Sequence, residues 1–188
     1  MNKQLSSYDW IQHGFHVLRT EGFVGLKADR MVKDLNVSRG SFYWHFKSLK
    51  DFHDALLTAW RNDITEAVIA ELRSIPKGKD QLFMLITQVI AAPQELEASV
   101  RSWARSDSNV AVAVKQVDQL RIDFLTEVFV KNGTALQAAR ARAAILTWAY
   151  VGRTFAPEFT KHLDEKSIRD LAEVLVGAST TNPTETEK

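Results

Sequence analysis

Apolar residues recur at helical spacing along almost the whole of this chain, and that periodicity excludes most folds before any motif is considered. Ile11, Phe15 and Leu18 stand at i, i+4 and i+7, one face of a first helix that should end near Gly22. Ala28, Met31, Val32 and Leu35 mark a short second helix. Ser38 then stands where a hydroxyl can cap a third short helix reaching about His45. Period-two alternation is rare, so the expected fold class is all-α, with about nine helices.

Later boundaries follow from the same signals. Ser48-Leu49-Lys50-Asp51 has the form of a capping box. The stripe of Phe52, Leu56, Ala59, Trp60, Ala67, Val68 and Leu72 predicts one long fourth helix over about 49–73. Residues 75–80, which contain Pro76 and Gly78, should break it. Further helices are expected over 81–91, 95–106, 108–131 (capped by Asp107 or Ser108), 136–155 and 165–177. Lys131-Asn132-Gly133 reads as a helix stop, and Thr134 with Gln137 as a second capping box. Residues 179–188 are polar and are expected to form a disordered tail.

Composition narrows the function. With 188 residues the chain can hold a small module fused to a larger domain. No apolar run is long enough to span a bilayer, residues 1–10 lack the pattern of a secretory signal, and there is no cysteine. A cytoplasmic protein is expected. The missing cysteine, the absence of a glycine-rich phosphate loop and the absence of a His-Glu-x-x-His pattern argue against an enzyme and against a cofactor or metal. His13 and His16 lack a nearby acidic third ligand in sequence and read as an exposed pair.

Net charge is only +1, but its distribution is uneven. Between residues 27 and 50 six basic side chains (Lys27, Arg30, Lys33, Arg39, Lys47, Lys50) face two acidic ones (Asp29, Asp34), an excess of four positive charges. Such a window suits phosphate contact, since each neutralised phosphate releases counterions. Three short helices followed closely by a long one suggest a helix-turn-helix. Asn36 occupies the tight-turn position, where few residues tolerate positive φ. Val37 would bury beneath the turn.

The stretch Val37-Ser38-Arg39-Gly40-Ser41-Phe42-Tyr43-Trp44-His45-Phe46-Lys47 resembles the recognition-helix signature of the TetR family of bacterial regulators. The flanking Met31-Val32-Lys33-Asp34-Leu35-Asn36 and Ser48-Leu49-Lys50-Asp51-Phe52 continue the resemblance, which covers roughly residues 8–60. It implies an N-terminal DNA-binding domain over 1–50 and a helical ligand-sensing and dimerisation domain over 51–178. It also implies a repressor that binds a palindromic operator as a homodimer and is released by a small-molecule effector.

Phe42 and Phe46, four apart, should face the small core. Lys27, Ser38, Arg39, Gly40, Ser41, Tyr43, Trp44, His45, Lys47 and Lys50 are the expected DNA-contacting residues. Arg39 has the fork for a guanine edge or a phosphate, whereas Tyr43, His45 and Lys47, by resemblance, hold phosphates. Trp44 could instead pack on the flank of its own helix. Two positions depart from the family pattern: Lys27 replaces the usual Thr, and Leu49 stands where a Lys is usual.

Beyond about residue 75 the resemblance is one of helical layout only. It implies a dimer seam over 136–155 and 165–177, where Ala138, Ala139, Ala141, Ala143 and Ala144 would permit close helix approach. Phe83, Trp103, Phe124, Trp148 and Tyr150 are candidate pocket residues, each of which could equally be ordinary core. Arg101 and Arg105 flank Trp103 and are expected at the surface. A helical regulator without a small-molecule ligand, or an interaction module without DNA affinity, is the alternative.

Overall fold

The computed structural model describes residues 5–75, 79–160 and 162–176, which are helical with no strand among them. The helices are α1 (Ser7–Glu21), α2 (Ala28–Asp34), α3 (Arg39–His45), α4 (Leu49–Arg61), α5 (Ala67–Ser74), α6 (Lys79–Ala91), α7 (Glu95–Ala104), α8 (Ser108–Lys131), α9 (Leu136–Arg153) and α10 (Glu165–Val176). The long fourth helix expected from sequence is interrupted, because residues Asn62–Glu66 form a π-helical turn between α4 and α5. Counting α4 and α5 as one gives nine among the described residues. The predicted break at 76–78, the Gly177 terminus and the 179–188 tail lie outside the described residues.

Packing divides the chain into two compact units that are not continuous in sequence. One comprises the chain up to Val68 together with Pro93–Asp118, and the other Ile69–Ala92 together with Gln119 onward. The expected linear boundary at residue 50 therefore differs from the packing, which draws α4, α7 and the first half of α8 into the N-terminal unit.

In the first unit α1 opens with a full capping box. The Ser6 hydroxyl accepts from the Asp9 amide, and the Asp9 carboxylate accepts from the Ser6 amide at 2.8 Å. That arrangement satisfies two of the otherwise orphaned N–H groups. One face of α1 buries Trp10, Ile11, Phe15, Val17 and Leu18. Gly14 lies so close to α4 that an added Cβ would stand 2.7 Å from Phe52. These side chains join Leu26, Met31, Phe42, Phe52, Leu56, Trp60, Val100 and Trp103 in one core.

Arg101, expected at the surface, is instead largely enclosed between Glu97 and Asp118, with 2.6 Å to the Asp118 carboxylate. Burial works against its charge, but the hydrogen bonds and attraction of the two carboxylates outweigh it and hold its pKa above the ordinary value. Arg105 is exposed as expected.

The second unit packs α6, the end of α8, α9 and α10 around Leu82, Ile86, Leu125, Phe129, Ala139, Ala143, Ile168 and Ala172. Ala139 and Ala143 are thus spent inside this core, while Ala138, Ala141 and Ala144 remain exposed. The guanidinium of Arg153 donates to the carbonyls of Val89, Ile90 and Ala92, at and just past the end of α6, where the last helical carbonyls have no partner within the helix. The N-cap of α9 falls one residue after the capping box proposed at Thr134. Ala135 is the N-cap of α9 without a side-chain bond, and Thr134 accepts instead from Arg142. No described helix is long and apolar enough to cross a membrane.

Candidate nucleic-acid interface

The basic window folds into α2, a tight turn and α3. Asn36 takes φ 52°, the left-handed conformation that lets the chain reverse in few residues. The Val37 amide then donates to the Val32 carbonyl at 3.0 Å. Ser38 has the extended backbone of an N-cap, but its hydroxyl makes no capping bond. Its carbonyl accepts from the Ser41 amide instead. Helix α4 is capped as expected by Ser48, whose hydroxyl accepts from Asp51, whereas the Asp51 carboxylate reaches one residue further back, to the Lys47 amide.

The underside of α3 is fixed by aromatic packing. Phe42 is fully buried and Phe46 nearly so. Phe42 lies edge-on to Trp10 at 5.3 Å and to Phe52 at 5.5 Å, and Phe46 to Phe52 at 5.0 Å. Edge-to-face pairs add to the gain from burial, so α3 is held as a rigid body.

The opposite side is open. Ser38, Arg39, Gly40, Tyr43, Trp44 and Lys47 are exposed, and Ser41 and His45 are half-buried. The indole of Trp44 is 81% exposed and so does not pack on the flank of its own helix. Arg39 Nε lies 2.8 Å from the carboxylate of Asp29.

The cations around α3 divide into two sets. Lys27, Lys33 and Lys47 are exposed and make no ion pair among the described residues. Lys50 pairs with Asp54 along its own helix at 2.6 Å, which raises its pKa. Arg30 is shared between Glu21 and Asp34. His45 is engaged within the protein, because its Nε2 donates to the Leu5 carbonyl at 2.8 Å. A phosphate contact through that nitrogen would require this bond to open.

Sequence reasoning missed the partners Asp29 and Leu5. It counted Lys33 in the basic window without placing it at the interface. The only signal for Asp29 was its presence in the same short window.

His13, expected to be exposed, is half-buried with Nε2 3.6 Å from the Asp34 carboxylate. Burial lowers its pKa despite that carboxylate. Among the described residues no cluster of three or more acidic or histidine side chains could hold a metal ion.

The five candidate pocket residues have different surroundings. Trp103 belongs to the first unit, buried with its ring parallel to that of Phe23 and edge-on to His53 at 4.9 Å. Phe124 is buried beneath the guanidinium of Arg73, and Tyr150 carries Arg121 over its ring at 4.5 Å. Trp148 is 76% exposed. Phe83 borders an open cleft, shared with Asp80, Arg169, Ala172 and Glu173, with Arg169 4.2 Å above its ring.

No family model and no curated protein matches this sequence. Among solved structures, a transcriptional regulator described as a TetR/AcrR family member superposes with a TM-score of 0.75 at 17% identity, over 90% of this chain and 97% of that one. A TetR transcriptional regulator from Legionella pneumophila gives 0.70 at 17% identity, over 92% and 97%. The superantigen PfiT also gives 0.70 at 17% identity, over 93% and 97%. With α3 set on its aromatic base and the helices in this order, the chain has the fold carried by TetR/AcrR-family regulators.

Proposed function

We propose that the chain is a TetR-type transcriptional regulator that binds duplex DNA through the exposed side of α3. The observation that carries this reading is the division of the seven-residue α3 and the two residues that follow it. Phe42 and Phe46 lock it down, while Arg39, Gly40, Tyr43, Trp44 and Lys47 stand in solvent among unpaired lysines. A helix presented in this way, with its outer face in solvent, fits the major groove. Lys27, Lys33 and Lys47 supply phosphate contacts that set register, and Arg39 supplies a polar contact to a base edge.

A homodimer completes the reading. On α9 and just beyond it Leu136, Ile145, Trp148 and Phe155 are exposed, and on α10 Leu171 and Val174 are too. An apolar surface of this extent favours a partner, and a second copy packed on it would present two recognition helices to a palindrome. Their half-sites would lie roughly 34–36 Å apart, one DNA turn. Release by a small molecule requires that the molecule bind one state of the dimer more tightly than the other. The cleft at Phe83 and Arg169 is the candidate place within the second unit.

Selection of full-length protein from a random duplex pool tests the reading. It predicts enrichment of a palindrome with half-sites about 10 base pairs apart. The presence of this fold in a protein named a superantigen keeps open an interaction module without DNA affinity. Failure to enrich any duplex at low salt would favour that module.

A further inference from the structure

We propose that Trp44, together with the notch left by Gly40, reads the 5-methyl group of thymine in the major groove and so sets part of the sequence preference. The inference rests on the DNA-binding reading above and adds the chemical group that is recognised.

Trp44 carries the most exposed indole of the chain, 81% in solvent. The core beneath α3 is complete without it, because Phe42 is 0% and Phe46 4% exposed. An indole left out of a finished core is surface available to a partner. Gly40 stands four residues earlier, on the same face of the helix.

A Cβ placed at Gly40 would meet only the Ser38 hydroxyl, at 3.6 Å, with nothing else within 4 Å. The indole therefore does not fill the space above Gly40. No packing inside the protein requires glycine there, and glycine weakens a short helix. The result is an unobstructed stretch of helix surface at Gly40, on the same face as the exposed indole.

The chemistry of the indole selects its ligand. Indole has a single N–H donor and no acceptor, so it cannot pair in bidentate fashion with a guanine or adenine edge. Of the four base edges in the major groove, only that of thymine ends in an apolar group. A methyl against the indole buries apolar surface on both sides, while Arg39 remains for a polar edge nearby. The exposed Lys27, Lys33 and Lys47 supply the charge that holds the backbone.

The test uses full-length protein and the duplex enriched from a random pool. Each thymine is replaced in turn by deoxyuridine, which deletes the methyl and keeps the hydrogen-bonding edge. At one thymine per half-site the replacement should weaken wild-type binding about 4-fold per methyl, or ~15-fold when both half-sites are changed. Trp44→Ala should lose that dependence, responding by less than about 2-fold, whereas Arg39→Ala should retain it. Cytosine at the same position should bind poorly, and 5-methylcytosine should restore affinity in wild type but not in Trp44→Ala.

If a duplex is enriched yet no deoxyuridine effect depends on Trp44, the thymine assignment falls and DNA binding stands. If no duplex is enriched, both fall.

Discussion

Arg39 and Asp29 are joined across the helix-turn-helix, Nε to carboxylate oxygen at 2.8 Å, with both side chains exposed. An ion pair in that position is worth ~0–1 kcal/mol to the fold. Its importance lies in what it does to the arginine: one acidic group of the basic window occupies the guanidinium until DNA competes for it. Asp29→Asn should leave folding free energy within about 1 kcal/mol of wild type and raise duplex affinity at low salt, as followed by anisotropy of a labelled duplex. A fall in affinity would instead show that Asp29 aims Arg39 at its base.

Gly40 separates stability from binding. Gly40→Ala adds a methyl that meets no protein atom closer than 3.6 Å, so the helix should gain ~0.5–1 kcal/mol in urea denaturation. The same methyl stands between α3 and the groove, and duplex affinity should fall by about tenfold or more. Unchanged affinity would mean that the helix does not approach DNA at that point.

The proposed seam is tested by one side chain. Trp148 is exposed within its own chain, so Trp148→Glu should barely alter the stability of the protomer. In a dimer buried on α9 it places a charge in an apolar interface. Sedimentation should then show a monomer where wild type is dimeric, together with loss of binding to the palindrome. A dimer that survives this change would place the seam elsewhere.

Two half-buried histidines give the first unit an acid sensitivity. His53 packs against Trp103, and its Nε2 donates to the Leu26 carbonyl at 3.2 Å. Burial lowers its pKa although that bond opposes the shift, and burial lowers that of His13 as well. The fold therefore favours the neutral rings. Their contribution is fully present above the ordinary value of about 6.5 and is lost as pH falls through the lowered value. Melting temperature should decline between about pH 7 and pH 5. In His53→Gln that decline should be shallower though not absent, since His13 remains; parallel curves would remove His53 from this role.

What was legible in the sequence is local. The limits of α2 and α3, the left-handed Asn36 and the Ser48 cap depend on neighbours within a few residues, and all were readable from turn and capping chemistry. The burial of Phe42 and Phe46 followed from their spacing of four. The pairing of Arg39 with Asp29 and of His45 with the Leu5 carbonyl was not readable, since each joins groups brought together only by the tertiary fold.

Alanine was equally silent about direction. Ala139 and Ala143 fill the core of the second unit and Ala138 and Ala141 face solvent, yet helix propensity is the same for all four. The π-helical turn at Asn62–Glu66 interrupts a stripe whose periodicity gave no sign of it, because Trp60 and Ala67 still stand seven apart, the spacing of two ordinary helical turns.

The central claim is that the lysines around α3 meet the phosphate backbone. The most direct measurement is the affinity for the enriched duplex as a function of salt, for wild type and for Lys47→Ala. Wild-type affinity should fall steeply as salt rises, and the variant should bind more weakly, its log–log slope reduced by about one for each Lys47 removed, or about two per dimer. A salt dependence identical in the two proteins would contradict the account.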